Sequence, residues 1–97
     1  MAGVNDMFRA LRDPTRRAIL RLLRARDMSA GEIADRFPQA RSTLSEHLRT
    51  LRDAGLVVTE RQGTTIRYSL NLAVAEDVAA SVMELLGVGR NGRGRRS

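Results

Sequence analysis

The chain has 97 residues, 42% of them hydrophobic and only 3% aromatic, with no cysteine and a formal net charge of +6. Disulfides and thiolate metal sites are excluded, no apolar run approaches membrane-spanning length, and a soluble, untargeted, cytoplasmic protein without membrane insertion is expected. Four of the 17 basic residues, Arg90, Arg93, Arg95 and Arg96, fall in a Gly-rich end, so the rest is only mildly basic and charge alone does not argue for a nucleic-acid partner.

Val4, Met7, Phe8 and Leu11 recur at helical spacing and predict a first helix over residues 4–11. Asp13-Pro14 supplies an N-cap and a proline at the first helical position, and Ile19, Leu22 and Leu23 form the inward stripe of a second helix reaching about Arg26. Asp27-Met28 reads as a short connector. Ser29-Ala30-Gly31-Glu32 is a capping box that opens a third helix with Ile33, Ala34 and Phe37 inward. After Pro38, Ser42 is the expected N-cap of a fourth helix whose Leu44, Leu48 and Leu51 make one buried stripe. Gly55 stops that helix, and Leu56 is placed to fold back on Leu51. Residues 57–61 and 65–70 predict a hairpin around Gln62-Gly63-Thr64, with Ile66, Tyr68 and Leu70 inward and Thr65, Arg67 and Ser69 outward. Asn71 caps a last helix with Val74, Val78, Val82 and Leu85 in a stripe widened by Met83 and Leu86, closed by Gly87.

These elements define a mainly α chain with a small β-hairpin, α+β in class, in the order ααααββα. A short capped helix, a turn, a second helix with a hydroxyl-rich start and a basic hairpin describe a winged helix-turn-helix, which places one helix in a major groove. Residues 1–87 form the expected domain, and residues 88–97 a disordered basic tail. Opposite its leucine stripe the fourth helix carries Arg41, Ser42, Thr43, Ser45, Glu46, His47, Arg49 and Arg52, side chains able to meet base edges or phosphates. Arg61, Gln62, Thr64 and Arg67 are the expected backbone contacts of the wing; a merely solvated hairpin is the alternative. Glu46 either accepts from a cytosine amino group or points away from DNA. His47 borders the buried stripe, which favours packing over sensing. Arg16 or Arg17 could reach the DNA backbone. The apolar first and last helices suggest a homodimer interface of Val4, Met7, Phe8, Val74, Val78, Val82 and Leu85; the alternative is that they only cover the monomer's core.

Residues 11–20 (LRDPTRRAIL), 42–51 (STLSEHLRTL) and 54–57 (AGLV) leading to Tyr68-Ser69-Leu70 stand in one order along the chain. On these motifs, over roughly residues 4–87, the chain resembles the ArsR family of winged-helix repressors, and within it the short SdpR-type autorepressors without a thiolate sensor. It implies a homodimer, joined by its first and last helices, that blocks a promoter at a palindromic operator in double-stranded DNA. Many members sense metals through Cys-x-Cys before the turn or Asp and His in the last helix. Here those stretches offer Ile33-Ala34-Asp35 and only Glu76, Asp77 and Glu84, so no metal and no cofactor are expected. An enzyme is not expected either: one histidine, no cysteine and no phosphate loop leave no catalytic constellation. The rival reading is a winged-helix module for protein or RNA. An effector, small molecule or protein, is compatible with the sequence but not specified by it.

Overall fold

The structure, a computed structural model, describes residues 3–88. Helix α1 (Val4–Leu11) starts where Asp6 accepts from the Gly3 N–H, and α2 (Pro14–Ala25) starts where the Asp13 carboxylate accepts from the N–H groups of Thr15 and Arg16 at 2.8 and 3.1 Å. The predicted box at Ser29 forms in full: Ser29 Oγ accepts from Glu32 N–H and Glu32 Oε1 accepts from Ser29 N–H, opening α3 (Ala30–Ala34). Helix α4 (Arg41–Asp53) ends in a Schellman motif, with Gly55 at φ +81, Gly55 N–H donating to Arg52 O and Leu56 N–H to Leu51 O. The expected Leu51 and Leu56 are both buried beneath it.

Two expectations are corrected here. The stretch around Met28 is not merely a connector: Met28–Ser29 form a two-residue strand, β1, that pairs antiparallel with β3 (Thr65–Leu70), which also pairs with β2 (Val57–Gln62). The order becomes ααβααββα around a three-stranded sheet β1-β3-β2. Two residues are too few to show alternation, and Met28↔Tyr68 is a pairing between distant segments. The hairpin tip is also tighter than expected. Gln62 pairs with Thr65, leaving a Gly63-Thr64 loop with Gly63 at φ +65, the positive first position of a type II′ turn.

Ala10, Ile19, Leu23, Met28, Ile33, Leu44, Leu48, Leu51, Ala54, Leu56 and Val57 form one core. Helix α5 (Leu72–Leu85) begins with Asn71 Oδ1 accepting from Val74 N–H and closes at Gly87 in a second Schellman motif. None of its residues is buried: Val74 and Val78 pack against the core, while Val82, Met83, Leu85 and Leu86 stay exposed. The tail expected to be disordered lies, beyond Val88, outside the described residues.

Candidate nucleic-acid interface

Helix α4 turns one face to the core and the other to solvent. Leu44, Leu48 and Leu51 are buried, and Arg41, Ser42, Thr43, Ser45, Glu46, Arg49 and Arg52 are exposed. The helix begins earlier than expected: Ala40, not Ser42, is the N-cap, with no side-chain cap bond, and the Leu44 N–H→Ala40 O bond opens the ladder. The Ser42 hydroxyl is thereby freed from capping. Among the described residues Ser42, Thr43, Ser45, Glu46, Arg49 and Arg52 make no side-chain hydrogen bond or ion pair, and Arg41 meets only Asp35, at 3.6 Å across open solvent. Such an exposed pair constrains little. The result is a row of unpartnered donors and hydroxyls on a rigid element, held from behind by leucines.

His47 departs from that row. Its side chain is 15% exposed and turned toward the start of α2, with Nδ1 3.2 Å from Arg16 Nη1 and Nε2 4.0 Å from an Asp13 carboxylate oxygen. A guanidinium can only donate, so Nδ1 accepts and Nε2 carries the proton that faces the carboxylate. Arg16 also donates to Ala10 O at 2.7 Å and Arg9 O at 3.2 Å, and Arg17 to Leu11 O and Arg12 O. Both arginines, the candidates for a DNA-backbone contact, thus donate to carbonyls at the end of α1. Gln39 in the turn before α4 adds a bond to Thr15 Oγ1 at 2.8 Å. Sequence reading missed this clamp, whose only local signal was Asp13-Pro14-Thr15-Arg16.

Desolvation raises the Asp13 pKa, but the Arg16 N–H, the His47 side chain, the Thr15 N–H and the Arg16 guanidinium outweigh it and hold the carboxyl below its ordinary value. A folded-state pKa below the unfolded one stabilises the fold at pH values above the unfolded pKa, and this is lost as pH falls through the folded pKa. Asp13→Ala should therefore cost about 0.5–2 kcal/mol at neutral pH, the usual worth of an N-cap. Urea unfolding should show that deficit shrinking below the carboxylate range.

In the wing, Arg61, Gln62 and Thr64 are exposed and unpartnered among the described residues. Arg67 is different: it is half-buried, donates to Asp27 O at 2.7 Å and lies 3.6 Å from Glu32, so it ties β3 to the start of α3 instead of facing outward. The Ser29 N–H, chief among several groups, keeps the Glu32 carboxyl below its usual range, and Arg26 at 3.7 Å adds to it. Among the described residues no three His, Asp or Glu side chains gather where one metal ion could be held, and no helix is long and apolar enough to cross a membrane.

The helix-turn-helix domain family matches residues 11–60. The transcriptional repressor SdpR of Bacillus subtilis is 40% identical over 88 residues, spanning 91% of this chain and 98% of that protein. The arsenical resistance operon repressor of Staphylococcus aureus is 32% identical over 77% of this chain and 72% of its own length. Among solved structures, an ArsR-like transcriptional regulator from Rhodococcus sp. RHA1 superposes with a TM-score of 0.78 at 36% identity, covering 87% of this chain and 78% of the other.

Proposed function

The chain belongs to the ArsR family of winged helix-turn-helix transcriptional regulators, DNA-binding repressors and not enzymes, and we propose that it represses as a cytoplasmic homodimer seated on a palindromic operator. The observation that carries this reading is the unpartnered outer row of α4. Thr43, Ser45, Glu46 and Arg49 read bases, with Ser42 and Arg41 on the flanking phosphates, while Arg61, Gln62 and Thr64 of the wing touch backbone or minor groove. A surface for docking proteins would show aromatic or aliphatic anchors. This one shows hydroxyls, arginines and one carboxylate.

His47 and Arg67, placed in the interface by sequence, take supporting roles in this reading. His47 fixes α4 against the Asp13–Arg16 clamp, and Arg67 fixes the base of the wing. The dimer uses the side of α1 and α5 that the monomer leaves open: Val4, Val82 and Leu85 are exposed and Phe8 half-buried, whereas Met7, Val74 and Val78 already pack against the monomer's own core. A two-fold axis there sets the recognition helices about 34–36 Å apart, one helical turn of DNA.

Arg49→Ala tests the base-reading assignment, because a lost bidentate base contact removes about 1–3 kcal/mol of discrimination. Fluorescence anisotropy should register weaker binding to the operator and little change on random duplex. An equal loss on both would make Arg49 a phosphate contact.

A further inference from the structure

We propose that the cleft between α2, α5 and the base of the sheet is an effector site for a small amphipathic carboxylate, its hydrocarbon body against Leu20, Leu56, Leu70 and Val78 and its carboxylate on Arg21 and Arg24. The recess measures about 240 Å³ and its walls are almost wholly aliphatic, apart from these two arginines. That is below the ~300–1,000 Å³ common for drug-sized ligands, so the occupant is short. Arg21 and Arg24, one turn apart on α2, are exposed and have no hydrogen-bond or ion-pair partner among the described residues, unlike Arg16 and Arg17 on the same helix. Two like charges on the rim of an apolar recess oppose its burial under a second apolar helix unless an anion comes with it. An anion carrying its own apolar surface satisfies both features at once.

The site rests on the repressor reading for its consequence. The same α2 that walls the cleft carries, at its other end, the Asp13–Arg16 clamp on His47 of α4, while α5 forms the opposite wall and the proposed dimer face. A ligand that favours one arrangement of α2 against α5 therefore shifts DNA affinity, and DNA shifts ligand affinity by the same factor.

Calorimetric titration of the full-length protein with octanoate and with octanol, in the absence of DNA, tests the assignment. Octanoate should bind about tenfold tighter than octanol, the low end of what a hydrogen bond to a charged group contributes. In R21Q/R24Q that preference should vanish with octanol binding unchanged, and Ala75→Phe, which fills the recess, should abolish both. Octanoate and octanol titrating alike, or octanoate unaffected in R21Q/R24Q, would overturn the site. No octanoate heat, together with a changed sedimentation coefficient for Ala75→Phe, would assign the cleft to a second copy and overturn it equally. Saturating octanoate should change operator affinity by about fivefold or more in anisotropy; binding without such a change would overturn the effector role. Octanoate binding by a protein that takes up no duplex would support the cleft and overturn the DNA-binding reading instead.

Discussion

Val82→Glu combined with Leu85→Glu is expected to yield monomers in sedimentation at tens of micromolar and to lower operator affinity by about 10²–10⁴-fold, the range over which linking two binding units raises avidity. Both side chains are exposed in the monomer, Val82 by 37% and Leu85 by 71%, so charge there removes no core contact. The variant should keep the helical circular dichroism of the parent. Leu85 shares a shallow depression with Val4 of α1, so one pair of substitutions on α5 should disrupt the proposed dimer face on both helices. Random duplex, bound through phosphates without two matched half-sites, should lose less than the palindrome. A double variant that still sediments as a dimer would place the two-fold axis elsewhere.

What sequence reading recovers is what is local. Asp13-Pro14, Ser29 with Glu32, Gly55 with Leu56, and Asn71 each act on backbone groups within a few residues, and the structure forms all four as expected. The leucine stripe of α4 is likewise set by helical period alone. The errors fall where a distant partner decides. Met28 becomes a strand only because Tyr68 lies beside it; Arg67, polar on an alternating strand, looks outward until the Asp27 carbonyl and Glu32 draw it in. His47 and Arg16 are separated by 31 positions, and no periodicity announces that they meet. Ser42 shows the limit of even a local rule: a good capping residue sits inside the helix because the turn from Pro38 to Ala40 already starts the ladder. The outer row of α4 was legible as a set of residues, but its freedom from internal partners could be read only from the fold.

Leu51→Ala is the converse experiment on the same helix and should cost about 2–5 kcal/mol of unfolding free energy, as truncation of a fully buried leucine does when its surroundings cannot collapse. Leu51 has no exposed surface, lies in the core with Leu44, Leu48 and Ile33, and its carbonyl receives the Leu56 N–H that closes α4. Because a domain of this size holds only about 5–15 kcal/mol in total, the loss is a large share of its stability. Thermal unfolding should move down by roughly 10–30 °C. The preference for operator over random duplex should nonetheless survive at temperatures where the variant is folded, since the groups proposed to read bases stand on the opposite, exposed face of α4. Arg49→Ala should do the reverse, leaving the unfolding curve nearly in place, as surface substitutions do, while eroding that preference. If Leu51→Ala instead abolished discrimination in the folded protein, the outer row would depend on fine core packing for its geometry, and α4 could not be treated as a rigid element carrying two independent faces.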